Sequence, residues 1–207
     1  SYTHRTDDPF LLTKSTETKL SVVDSQQNKV ITTAYDTKGN ILSRQESGYV
    51  LIDGVPTQKT YTTAYQYNTL GQLTQINGPR TDVLDITTFE YFDNVPEEGN
   101  NRGQLKAIVN ALNQRTEFSE YDANGNVGKI TDPNNVIIQR TYDERNRIKT
   151  ITNLSTGAQT QYFYDIRGNL SYIILPEANR IDFTYNLANK LTEIKDSLDN
   201  KIQYQYD

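Results

Sequence analysis

Apolar and polar residues alternate strictly along several short stretches. Ile181, Phe183 and Tyr185 are separated by Asp182 and Thr184, and Ile202, Tyr204 and Tyr206 by Gln203 and Gln205. This predicts strands with one dry and one wet face. In the other half of each unit the apolar residues stand three apart, at Val127/Ile130, Ile148/Ile151, Leu170/Ile173 and Leu191/Ile194. In a regular strand that spacing places a pair on opposite faces, and on one face where a bulge intervenes. The sequence leaves both readings open. Only about five to seven residues separate the turns, too few for a stable isolated helix.

The strands are punctuated by a recurring motif. It reads Tyr121-Asp122 with Gly125, Tyr142-Asp143 with Asn146, Tyr164-Asp165 with Gly168, Tyr185 with Asn189, and ends at Tyr206-Asp207. The tyrosines are 21, 22, 21 and 21 residues apart, a fixed period of the kind that marks a stacked repeat array. Upstream, Tyr35-Asp36 with Gly39 and Tyr67 with Gly71 give two further copies, 32 residues apart. A degenerate copy starts at Phe92-Asp93, and its Gly103 arrives seven residues late. An aspartate that opens a turn accepts bonds from backbone N–H groups just ahead, and the fifth position needs a residue that tolerates positive φ. Where glycine is absent there, asparagine replaces it, the non-glycine residue most at ease in the left-handed region. A second set of turn compositions lies half a unit on, at Asp132-Pro-Asn-Asn135, Asn153-Leu-Ser-Thr-Gly157, Pro176-Glu-Ala-Asn179 and Asp196-Ser-Leu-Asp199-Asn200. The expected fold is all-β: an array of antiparallel β-hairpin repeats of ~21 residues making an open sheet.

Residues 1–13 read as a lead-in and 14–207 as the array, with insertions near 44–57 and 94–102. The first insertion predicts a longer hairpin loop around Gly48 to Pro56, where Asp53-Gly54 is a strong turn dipeptide. The second is a polar surface loop by composition, and the least repetitive exposed segment. Lys19 to Val30 parallels Lys190 to Ile202 with one residue deleted, so the two ends of the chain are expected to be alike.

Composition narrows the function classes. The hydrophobic share is 35%, and with glycine added it stays below the usual 45–50% or so, which suits a sheet with an exposed face. Fifteen Tyr favour strands. A net charge of −5 with scattered Lys and Arg speaks against a nucleic-acid partner. With no cysteine there are no disulfides and no thiol chemistry. No apolar run approaches the ~20 residues of a membrane helix, and Phe10-Leu11-Leu12 is too short for a signal peptide. The absence of Met, position 1 included, is expected of a processed chain or of a piece of a longer one. The end at Tyr206-Asp207, midway through a motif, favours the second.

The Tyr-Asp-x-x-Gly-Asn/Arg-Leu motif at this spacing resembles the YD repeats of the Rhs family, which includes the B and C components of insecticidal toxin complexes and the extracellular part of teneurins. The likeness is strong over 121–207, good at 35–41 and 67–73, and weak around 92–105. It implies a long antiparallel sheet, curved or spiralling, that forms part of a hollow shell around a C-terminal toxin or effector polypeptide. The partners it implies are the rest of the parent chain and that enclosed polypeptide, and the setting is secreted or cell-surface, most often bacterial. The family's self-cleaving aspartate motif lies downstream of the repeats and has no counterpart in this chain.

Other chemistry finds little footing. His4 is the single histidine and has no serine motif beside it. Asp122-Ala-Asn124-Gly125-Asn126 is oxygen-rich, but its glycine is at the fourth position and Pro133 stands where a calcium loop needs glutamate. Asp82 with Asp85, and Glu97 with Glu98, are the candidate carboxylate pairs for glycosidase work, with solvated charges as the simpler account. Asn153-Leu154-Ser155 is a formal glycosylation sequon. No cofactor and no metal are expected, and the favoured role is structural rather than enzymatic. The alternative is an adhesin or carbohydrate-binding module that uses Tyr49, Tyr61 and Tyr172 as an exposed aromatic strip, together with the 94–102 insertion. Open strand edges would also permit edge-to-edge self-association.

Overall fold

In the computed structural model, which describes residues 1–5, 12–19 and 28–207, the alternating stretches are strands and the polar motifs are the turns between them. Seventeen strands are present among the described residues, and every pairing with a defined register is antiparallel. The chain divides into two units, one of residues 1–90 with 108–114, the other of 91–107 with 115–207.

The first unit is a meander of β1 (Tyr2–His4), β2 (Leu12–Lys19), β3 (Lys29–Tyr35), β4 (Ile41–Ile52), β5 (Val55–Tyr67), β6 (Leu73–Asn77) and most of β7 (Ile86–Tyr91). Each strand pairs with its sequence neighbour. β1 pairs with β2, so the first residues of the lead-in already belong to the sheet, and position 14 falls inside β2. The extra residues near 44–57 lengthen two strands instead of making a loop: β4 and β5 run 12 and 13 residues and pair from Ser43↔Ala64 up to Ile52↔Val55. Only Asp53 and Gly54, both at positive φ, lie between them. A two-residue turn of that kind matches the right-handed twist of its strands, which lets the ladder continue to the tip. The parallel between Lys19–Val30 and Lys190–Ile202 falls largely on residues 20–27, outside the described residues.

The second unit holds most of β8 (Leu105–Val109), then β9 (Arg115–Ser119), β10 (Lys129–Thr131), β11 (Ile137–Tyr142), β12 (Ile148–Asn153), β13 (Gln159–Tyr164), β14 (Leu170–Ile174), β15 (Arg180–Tyr185), β16 (Leu191–Asp196) and β17 (Lys201–Gln203). From β9 onward each pairs with the next. The inserted segment forms a short 3-10 helix, Pro96–Asn101, started by its proline.

The spacing of three left open by the sequence is settled by a bulge. Tyr142 faces Ile148 and Thr141 faces Thr150, so Lys149 is the extra residue. The same slip recurs at Tyr164/Leu170, Tyr185/Leu191, Tyr67/Leu73 and Tyr35/Ile41. After the slip Ile151 faces Arg140, Ile173 faces Tyr162 and Ile194 faces Phe183. The Ile148/Ile151, Leu170/Ile173 and Leu191/Ile194 pairs therefore each share a face with their tyrosine.

Burial is shallow throughout. Among the described residues only Ile31, Ala107 and Thr33 are buried, and no large side chain is fully buried. Most strand residues are half-covered, as expected where side chains pack against the adjacent hairpin and not against a second layer. The dry face expected of Ile202, Tyr204 and Tyr206 is exposed, at 58%, 40% and 44%, because β17 pairs with β16 alone among the described strands.

Candidate functional site

The repeat motif builds one turn many times. In Tyr35-Asp36, the Asp36 carboxylate accepts the backbone N–H of Lys38 and of Asn40, each at 2.8 Å, and Gly39 sits at φ 87°. Asp122 accepts from Asn124 and Asn126, and Asp143 from Arg145 and Arg147. Asp165 accepts from Asn169. Gly71, Gly125 and Gly168 have positive φ, as do their replacements Asn146 (61°) and Asn189 (58°). In the degenerate copy Phe92 donates to Gln104, and Gly103, again at positive φ, donates to the Asp93 carbonyl across the insertion. The insertion is thus an extrusion from a turn that still closes. Its Asn101 side chain accepts the Tyr121 N–H at 3.1 Å, so this polar loop also braces the next repeat. Asp207 lies beyond β17 and is exposed.

The same turn occurs where the motif does not flag it. Asp132 and Asp196 accept from residues two and four ahead. Asn110 does likewise toward Leu112 and Gln114, with Asn113 at φ 59°. Sequence reasoning passed over Asn110 because neither tyrosine nor glycine marks it. The available signal was Asn-x-x-Asn-Gln, matching Asn68-x-x-Gly71-Gln72.

Turn bonding holds the aspartates ionised. Hydrogen bonds from the Asn40, Asn126 and Asn200 side chains lower Asp36, Asp122 and Asp196 below the usual carboxylate range. The Arg147 guanidinium, forked onto Asp143 at 2.8 and 2.6 Å, takes that carboxyl down to about 2. At Asp165 desolvation opposes the charge, and bonds from Asn169 outweigh it.

The tyrosines link one hairpin to the one before. Tyr121 donates its hydroxyl proton to the Leu105 carbonyl, Tyr142 to Val127, Tyr164 to Ile148 and Tyr206 to Leu191, at 2.7–2.9 Å. Each acceptor is the aliphatic residue that closes the preceding motif, so the rung is a unit-to-unit contact. Tyr35 meets the Ser15 hydroxyl at 3.3 Å. Burial raises the pKa of Tyr67, Tyr121, Tyr164 and Tyr185 above the ordinary tyrosine value. Neighbouring turns are also bridged directly: Lys38 to the Thr69 carbonyl, Asn126 to Asn146 and Asn169 to Asn189. The Arg147 guanidinium stacks 4.0 Å from the centre of the Tyr164 ring.

Alternative chemistry is taken up by these structural bonds. Asp82 pairs with Arg80, whose backbone N–H is bound by Asp85. Glu97 and Glu98 lie in the 3-10 helix. His4 is exposed on β1. The Asp122 oxygens are filled by their own loop, and among the described residues no three His, Cys, Asp or Glu side chains gather as a metal site. Asn153 of the sequon caps its own turn by accepting from Ser155 and Thr156. No helix among the described residues is long and apolar enough to cross a membrane. The three tyrosines of the expected aromatic strip are not equivalent. Tyr61 and Tyr49 are exposed but alternate to opposite faces of the β4–β5 hairpin. Tyr172 belongs to the other unit, packed between the Phe163 ring and the Arg180 guanidinium.

Known proteins share this fold. Solved structures of the same fold include the crystal structure of TcdB2-TccC3 without its hypervariable C-terminal region, with a TM-score of 0.60 and 15% identity over 89% of this chain and 10% of that one. The crystal structure of TcdB2-TccC3-Cdc42 gives 0.58 and 16% over 89% and 10%. A Tc holotoxin pore from Photorhabdus luminescens carrying a TccC3 mutation gives 0.53 and 14% over 90% and 12%. At these identities the likeness is one of fold, and the chain spans about a tenth of those structures' length. Comparison with curated proteins gives no significant match. The Teneurin YD-shell family model matches residues 96–207, more than half of the chain. With its tyrosine rungs and aspartate turns in place along that stretch, the chain belongs to the Teneurin YD-shell family.

Proposed function

We propose that this chain is a wall segment of a larger YD-repeat protein whose curved sheet forms part of a hollow shell around a C-terminal toxin or effector polypeptide, and that its role is structural rather than enzymatic. The observation that carries the proposal is the rung: Tyr121, Tyr142, Tyr164 and Tyr206 spend their hydroxyls on the backbone of the neighbouring hairpin. Stability then resides in interfaces between successive units, which suits a barrier extended by adding units. Family membership and the fold shared with Tc toxin components support the same reading. In this proposal the array occupies 14–207, the partners are the remainder of the parent chain and the enclosed polypeptide, and the setting is secreted or cell-surface, in a bacterium. Limited proteolysis with light scattering tests the wall. Cleavage confined to residues 94–102 and the termini is expected, and a monomer nicked evenly through the 137–196 hairpins would overturn it. Protection of a downstream polypeptide in the full parent chain, lost when the repeats are deleted, tests the enclosure.

A second reading, carbohydrate binding on the face of the wall, is favoured by one observation, the exposed Tyr61 ring beside a groove in the first unit.

A further inference from the structure

We propose that the tip of the β4–β5 hairpin is a membrane-contact element that seats in the headgroup layer of an anionic lipid bilayer. The wall reading stands without it. β3 pairs with β4 only as far as Val30↔Ser47, and β5 with β6 only as far as Ala64↔Asn77. Residues 49–58 therefore project past the described strands on either side as a two-stranded ribbon, closed by Asp53 and Gly54. Its last three rows are Val50 with Thr57, Leu51 with Pro56, and Ile52 with Val55. Successive rows point to opposite faces, so the tip is apolar on both. A hairpin that rests one face on a neighbour keeps the other polar, whereas apolar residues on both faces suit immersion in an apolar medium. Leu51 is 72% exposed and Val55 62%, and Val50 and Ile52 are exposed beside them, a cluster of the kind that marks a partner or membrane site.

The base of the tip carries the groups that a headgroup layer selects. Tyr49, exposed in the next row on one face, is of the amphipathic kind that settles at a membrane–water interface. On the other face Lys59 stands opposite Gly48, exposed and with no ion-pair partner among the described residues. Lys29 flanks Gly48 from β3, its Cα 4.0 Å from where a Gly48 Cβ would stand. Lys29 and Arg44 both pair with Glu46. Three cations against Glu46 and Asp53 leave a local positive excess on a chain whose net charge is −5, so an anionic surface is drawn to this end of the hairpin. At ~3.4 Å per residue the three rows and their turn extend roughly 10 Å, and interfacial elements sink about 5–10 Å. The lysines then lie level with the lipid phosphates. Shallow seating is also what the backbone demands, because the free edges of a ribbon find no partners in hydrocarbon. Pro56, which has no N–H, removes one donor from that account. Asp53, at the apex, opposes entry, which makes its charge a test.

Co-sedimentation of the full chain with large vesicles of phosphatidylcholine, alone or with about a third phosphatidylserine, reads the contact. Binding to the anionic vesicles is expected, about fivefold or more tighter than to the neutral ones. Leu51→Asp combined with Val55→Asp should weaken it about tenfold or more, Lys59→Gln about fivefold, and Asp53→Asn should strengthen it. All four side chains are exposed, so far-ultraviolet circular dichroism should not change. The chain has no tryptophan, and Leu51→Trp therefore places a lone indole at the tip. Its emission should shift to the blue and be quenched by brominated lipid, while Leu187→Trp, at an 89% exposed turn position in the other unit, should show neither effect. The proposal is overturned if anionic vesicles are not bound, if the folded Leu51→Asp, Val55→Asp chain binds like the parent, or if both indoles respond alike. Dimerisation in light scattering that these aspartates abolish, without vesicle binding, overturns it in favour of a second copy as the occupant. Absence of vesicle binding alongside the expected proteolysis pattern removes the membrane contact and leaves the wall.

Discussion

Tyr164 shows how much one side chain carries here. Its hydroxyl bonds the Ile148 carbonyl at 2.9 Å while its ring packs against Arg147. Tyr164→Phe keeps the ring and orphans a part-buried carbonyl, so a loss of about 1 kcal/mol in urea unfolding is expected. A control at the exposed Tyr61, changed to Phe, should stay within a few tenths. At the turn, Asn146→Val forces a β-branched residue to φ 61° and should cost on the order of 1–2 kcal/mol. Asn146→Gly, which relieves the backbone and gives up only the exposed bond from Asn126, should be close to neutral. Equal tolerance of both would contradict the turn geometry. These positions were legible in the sequence because the constraint is local: the alternation of Gly with Asn reports φ whatever surrounds it. The rung acceptors were not legible, since a backbone carbonyl has no residue identity to betray it.

At the scale of the hairpin, the extra residue of the bulge decides which face is apolar. Inserting one residue between Thr150 and Ile151 would place the newcomer opposite Arg140 and turn Ile151, now opposite Gln139, to the other face from Tyr142. The expected loss is that of exposing one or two aliphatic side chains, roughly 1.5–3 kcal/mol each. Deleting the exposed Glu98 from the inserted 3-10 helix should cost far less, and comparing the two midpoints checks this. The sequence held the spacing of three but not its resolution, because both geometries satisfy it and only the partner strand chooses. The turns add a dependence on acidity. Folded Asp36, Asp122, Asp143, Asp165 and Asp196 titrate below their ordinary value. Their contribution is present above the unfolded carboxylate range and is lost as pH falls from about 4 toward about 2. The raised tyrosines act at the other end, stabilising below about 10 and losing that contribution as pH climbs past it. A thermal-melt profile flat between these limits and falling at both is expected. Asp143→Asn should blunt the acid limb.

For the whole molecule, cohesion passes from hairpin to hairpin, so stability should be graded along the chain. Hydrogen exchange is expected to be slowest across β12 to β15, which are paired on both sides, and fastest at β17. Uniform protection would indicate an all-or-none unit instead. The period of about 21 residues was readable because every unit solves the same local problem. The lengthened β4–β5 hairpin was misjudged as a loop because two neighbouring strands of unusual length carry no local mark beyond the dipeptide at their tip. The near-absence of buried side chains bears on how such walls diversify. A protein with an interdigitated interior must change its packing residues in concert, whereas a sheet one layer thick asks only that turns and rungs be kept. Both faces can then be rewritten piecemeal, and relatives 14–16% identical can retain the same fold.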